Sequence, residues 1–248
     1  MDAAQTIRHA VARVAAIRSE AKSNPALQAA LASIKSFQGK RFEATYTDLL
    51  ASAEYGAAAR FFLDDLYSDK DYSQRDAQFS RIAGALQKFF PQQVVATAVF
   101  LAQLHVLTEE LDQHMAQAWL DAATLVAGND VARYVAAWRL VGRSEDRARQ
   151  LDMVLSVGKD LDRLTRTTGL RLMLRMMRGP ATAAGLGSLQ KFLEAGFDTF
   201  ASMSGKGSRA REFLAIIHDR EASWIELLST GDIAQANDKL SACMAAAR

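Results

Sequence analysis

The sequence predicts an all-α protein, a multi-helix bundle of roughly eight to ten helices. Helix formers recur throughout, while only 3 Pro and 14 Gly punctuate 248 residues, too few for the frequent turns of a strand-rich chain. Apolar residues return at three- and four-residue steps over segments longer than strands. Hydrophobic residues make up 50% and charged residues 23%, a globular balance that argues against long disorder. A chain of this length buries a core without disulfides or metals. The expectation is a single domain over 1–248, with a hinge or subdomain boundary near 179–187.

Taken in order, Ala4 to Ala21 forms a first amphipathic segment. Asn24-Pro25 restarts the chain as an N-cap followed by proline at the first helical position, where the missing N–H is not needed. Ala26 to Phe37 follows, and Gly39 is expected to separate it from Phe42 to Ala53. Gly56 precedes a helix ending near Ser68-Asp69, and Ser73-x-x-Asp76 opens the next, Ser73 to Phe90, as a weak capping box. Pro91 begins a long helix to about Ala127; its β-branched run, Val94 to Phe100, continues a helical period far past strand length. Gly128-Asn129-Asp130 ends it and caps Val131 to Val141. Ser144, Glu145 and Asp146 suit the N-terminus of a helix predicted to reach Arg178. Gly179-Pro180 is the strongest breaker signal, Leu189 to Met203 is helical, and a glycine-serine loop over 204–208 follows. Arg211 to Leu228 is helical, and Thr230-Gly231-Asp232 caps the last helix.

Composition bounds the function. A net charge of +2 gives no global field for nucleic acid, so no nucleic-acid partner is expected. Cys243 is the single cysteine, which excludes an intramolecular disulfide and argues against a thiolate metal site. Met1 to Ala21 lacks the apolar core of a secretory signal. Val94 to Leu107 is short of the roughly 20 apolar residues a membrane helix needs, so no transmembrane segment and a cytoplasmic location are expected.

Phe61-Phe62-Leu63-Asp64-Asp65-Leu66-Tyr67 encloses two adjacent carboxylates in five apolar residues. Helically, Phe62, Leu63, Leu66 and Tyr67 share a face, while Asp64 and Asp65 diverge by about 100° and are poorly placed to act together on one atom. The stretch resembles the signature of the FFLEELY motif proteins, and Asp71 to Phe90, with Arg75 to Phe79, and Gly185 to Phe200, with Leu189 to Leu193 and Gly196-Phe197, also resemble that family, so that the likeness covers most of the chain. The resemblance implies an uncharacterised proteobacterial family with no assigned activity. Aspartates stand where that signature has glutamates, shortening the reach of any salt bridge or ligand sphere.

Several residues could carry chemistry. Asp76 completes the apolar stripe of Tyr72, Phe79, Ala83, Leu86 and Phe90, so its carboxylate should be partly buried and needs a donor or cation. It is a weak candidate general base or ligand beside Asp64 or Asp65; the plainer reading is a helix cap or a pairing with arginine. On the helix after Pro91, His105 and His114 point roughly 180° apart and cannot share one ion. The surviving metal set is His105, Glu109 and Asp112, a weak one needing ligands from another helix. No cofactor is expected, with metal and haem left open.

Arg171, Arg175 and Arg178 form an i, i+4, i+7 stripe on a helix otherwise made of Leu and Met. A helix apolar around most of its circumference is expected in the core, its arginines meeting Asp64 and Asp65, with an anion or membrane surface as the alternative. Gly196, on the apolar face of Leu189 to Met203, is expected to permit close helix approach. Three functional readings stay open. A non-catalytic interaction or regulatory protein, with a protein partner or a homo-oligomer, leads because no complete catalytic constellation is present. The others are a metal- or haem-dependent helical enzyme and a binder of anions or membrane surfaces.

Overall fold

A computed structural model describes residues 2–66, 72–124, 126, 128–204 and 208–246, with 65, 66, 89 and 204 described by backbone alone. Tyr67, the Asp65 side chain, the expected helix end near Ser68-Asp69 and the centre of the 204–208 loop lie outside the described residues. All regular structure among the described residues is helical.

In chain order, α1 spans Ala3–Ser23 and α2 Pro25–Thr45. The Asn24 side chain accepts from the Ala26 and Leu27 amides, with Pro25 at the first helical position. Gly39 does not break α2: Phe37 and Phe42 on either side are both buried, and their burial outweighs the roughly 1 kcal/mol helix penalty of one glycine. The break comes at Tyr46, after which α3 is Thr47–Ala51 and α4 Gly56–Phe61. A π-helical turn, Phe62–Leu66, continues α4. Phe61 and Phe62 are both buried, meeting edge to face at 6.4 Å, and Asp64 is exposed.

α5 is Ser73–Phe89, with Tyr72 at the N-cap position and no side-chain cap, so Ser73 lies inside the helix it was expected to cap. α6, Gln92–Ala122, ends five residues before the expected Ala127. α7 is Asp130–Val141, capped by Asn129 onto the Ala132 amide and closed by Gly142 at φ 61, a left-handed position that glycine adopts without strain. The single helix expected from Ser144 to Arg178 is three: α8 (Ser144–Thr165), α9 (Leu170–Met176) and α10 (Arg178–Ala183). Gly169 at φ 82 turns the chain between α8 and α9. Gly179 and Pro180 sit in the first turn of α10, where proline's missing N–H does no harm. α11 is Gly187–Ser204, α12 Arg209–Ser229 and α13 Ile233–Ala246, with Asp232 Oδ1 accepting from the Gln235 amide. Short helices such as α3 and α10 carry the segment number beyond eight to ten.

The chain forms two compact units, and the 179–187 segment lies inside the first. That unit comprises Met1–Ala15, Lys70–Val106 and Met153–Ala215. Ile7, Ala10, Ala83 and Ala102 form one of its cores, and Leu164, Leu170 and Phe197 another. Gly158 of α8 admits Leu214 of α12: a Cβ there would stand 2.5 Å from Leu214 Cδ2. The second unit comprises Ala16–Asp69, Leu107–Asp152 and Ile216–Arg248. Its core centres on Phe37, which stacks on Tyr134 at 4.4 Å and tilts against Trp119 at 6.5 Å, with Trp224, Leu228 and Leu240 around it.

Among the described residues, α6 is long and apolar enough by length and composition to cross a membrane, with a mean hydropathy of 1.4 over its best window. That exceeds the expectation from Val94 to Leu107, because an average tolerates isolated polar side chains. Core helices of soluble proteins meet the same criterion.

Candidate functional site

Gly169 releases α9 from the axis of α8, and its inward stripe is Leu170, Met173 and Leu174, packed with Leu164 and Phe197. At i, i+3 and i+4 these occupy one face, and the intervening residues face out. Leu172 is 61% exposed and Met176 63%, with Met177 also open. The core helix expected from composition is therefore a surface helix. A short helix buries one stripe whatever its composition.

Two of the three arginines find partners on α11. Arg171 Nη2 lies 2.7 Å from Asp198 Oδ1. Arg178 grips Glu194 through Nε at 3.2 Å and Nη2 at 2.7 Å. Glu194 Oε1 also accepts from Gln190 Nε2 at 2.9 Å, and Gln190 donates to the Leu174 carbonyl at 2.7 Å, tying α11 to α9. The Arg178 hydrogen bond, followed by that of Gln190, holds the Glu194 carboxyl below its usual range, and Arg175 adds a weaker Coulombic pull. Arg171, Arg175, Arg178, Glu194 and Asp198, with Leu174 and Phe197, line a small depression. Asp198 and Glu194 pair with Arg171 and Arg178, while the side chain of Asp65, expected as a partner with Asp64, lies outside the described residues. The arrangement is suited to binding: it sets cations beside protruding apolar side chains.

The remaining candidates are placed in paired networks. Asp76 is buried, as its stripe position predicts, and its Oδ2 lies 3.0 Å from His105 Nε2. A histidine, which was not among the expected partners, stands beside it.

Glu109 is buried and accepts from Arg18 Nη2 at 2.7 Å and from Lys35 Nζ at 3.3 Å on both oxygens. Its oxygens face two cations, which leaves it poorly disposed as a metal ligand. Asp112 is buried with Lys35 Nζ at 4.0 Å. Burial raises its pKa, against the opposing pull of Lys35 and Arg147. Among the described residues no cluster of His, Cys, Asp and Glu has the proximity to hold a metal ion. His114 Nδ1 lies 2.6 Å from the Glu110 carbonyl of its own helix.

One buried pair escaped sequence reasoning. Arg41 Nη1 and Nη2 donate to Glu221 Oε1 and Oε2 at 3.0 and 2.8 Å, and Tyr46 Oη donates to Oε1 at 2.9 Å. Burial works against the Arg41 charge, but the Glu221 carboxylate outweighs it and the pKa stands above its ordinary value. No local signal joins residues 180 apart in sequence.

The family model described as a domain of unknown function, DUF8198, matches residues 17–235. No curated protein and no solved structure matches the chain.

Proposed function

Because the chain belongs to DUF8198, a family of unknown function, membership names no activity, and we propose from the geometry a non-catalytic interaction role worked through the outward face of α9. The observation that carries the reading is Leu172 and Met176, one helical turn apart and each more than half exposed, beside Arg171, Arg175 and Arg178. Exposed apolar side chains grouped with polar neighbours mark interaction surfaces. The carboxylates best placed by sequence for chemistry support it from the other side. Asp76 is engaged by His105 and Glu109 by Arg18 and Lys35, and α6, which carries Glu109, is read as a core helix of a cytoplasmic protein. The likeness of Phe61 to Tyr67 to the FFLEELY signature, with its bacterial source, belongs to the same proposal.

The test places an environment-sensitive dye at Met176→Cys in a Cys243→Ser background and exposes the protein to total cell lysate, membranes included. The reading expects a blue shift that unlabelled protein displaces and an unlabelled Leu172→Ser/Met176→Ser variant does not. A spectrum without a displaceable shift defeats it.

A further inference from the structure

We infer that the occupant of the α9 face is an anionic lipid surface, an inference that rests on the reading of α9 as the working face. From Arg163 to Lys191 the chain carries six cations, Arg163, Arg166, Arg171, Arg175, Arg178 and Lys191, and no carboxylate; Arg163 and Arg166 are offset by Asp160 and Asp162 just before the run. Three of them stand on or beside α9, and Lys191 is exposed on α11. Asp198 and Glu194 offset Arg171 and Arg178 through the ion pairs. Arg175 lines the same depression with only a longer-range pull on Glu194, so its charge and that of Lys191 remain in surplus. This surplus complements a negatively charged partner and selects against a neutral one.

Shape separates a lipid surface from an acidic protein helix. A helix-in-groove partner needs an apolar trough, whereas α9 presents the reverse. Leu172 and Met176 are exposed, and the small depression on α9, α10 and α11 is lined mostly by charged side chains. A bilayer interface accepts isolated apolar tips, and arginine stems lie along it with their heads among the phosphates. A few apolar side chains alone bind marginally, so the second signal, charge, must supply the rest. Binding should therefore depend on both anionic lipid and ionic strength.

The experiment floats the full chain with vesicles of phosphatidylcholine, with or without phosphatidylserine, at low and high salt, alongside the Met176→Cys dye signal. Flotation and a blue shift are expected only with phosphatidylserine, and high salt should abolish them. Arg175→Ala should lower partitioning about fivefold, and Leu172→Ser/Met176→Ser should lower it further. Leu140→Ser, which removes a comparably exposed leucine at 54%, should leave it unchanged. Because every substituted side chain of α9 is exposed, circular dichroism should show each variant folded. Equal binding to both vesicle types, or equal loss in Leu140→Ser, overturns the proposal. No vesicle response but a displaceable shift in membrane-free lysate, or a concentration-dependent shift of the pure protein, overturns the lipid and leaves a protein partner or a second copy on α9. No shift under any condition overturns both readings.

Discussion

Glu221→Gln isolates the buried charge pair of the second unit. Glutamine keeps the shape and an oxygen that can accept from Tyr46 Oη, 2.9 Å away in the native protein, and it removes only the negative charge. Arg41 is 7% exposed and Glu221 8%, so solvent cannot replace the lost partner. The pKa of Arg41 stands above its ordinary value because of Glu221, yet even without that support a guanidinium does not give up its proton in the working pH range. The variant must therefore bury an uncompensated cation or open the core. Breaking a buried pair from one side costs about 3–5 kcal/mol, which for a chain of this size lowers Tm by roughly 6–20 °C. Replacing both residues, Arg41→Met with Glu221→Leu, removes charge and countercharge together. It should recover most of the loss, minus about 1 kcal/mol for the Tyr46 hydroxyl left without its acceptor. Urea and thermal denaturation of the native chain, Arg41→Met, Glu221→Leu and the double variant complete the cycle and give the coupling energy. A Glu221→Gln cost below about 1 kcal/mol, or a double variant no better than the single, would refute the reasoning, since either means the pair is effectively solvated.

Asp112 should make stability depend on pH with the opposite sign to an ordinary paired carboxylate. Burial raises its folded pKa, so its contribution is complete below the unfolded carboxylate pKa and is lost as pH rises through the elevated folded one. Urea melts should show Asp112→Asn gaining on the native chain from acid to neutral pH, and a parallel pH dependence of the two proteins would contradict this. His105→Leu removes a partner of buried Asp76 and should cost about 1–3 kcal/mol in thermal melts; an unchanged Tm would mean the contact carries no weight. Gly158→Ala should destabilise by about 1–3 kcal/mol despite alanine's better helix propensity. The added Cβ would meet Leu214 at 2.5 Å, and a stabilised variant would show that Leu214 yields freely.

What was legible in the sequence is what is local. Asn24, Asn129 and Asp232 cap helices within three residues of themselves, so their types and spacing announce the geometry. The buried position of Asp76 followed from its place in an apolar stripe. Breaks were less legible, because a glycine or proline reports a local tolerance that packing can override. Gly39 is absorbed between buried Phe37 and Phe42, and Pro180 is accommodated in a first turn. The real turn between α8 and α9 includes Thr167-Thr168-Gly169, a signal hidden by the strong leucine-methionine run after it. Partners were illegible in proportion to their distance: His105 is 29 residues from Asp76, and Glu221 is 180 from Arg41. The exposure of Leu172 and Met176 could not be read from composition, since α9 is hydrophobic on most sides and only its packing decides which side faces solvent.

Hydrogen–deuterium exchange of the full chain with and without phosphatidylserine vesicles tests the central claim most directly. The account predicts protection concentrated over 170–178 that high salt removes and that Leu172→Ser/Met176→Ser does not show. Exchange over 170–178 that vesicles leave unchanged, while the rest of the chain is equally unaffected or is protected elsewhere, would contradict it.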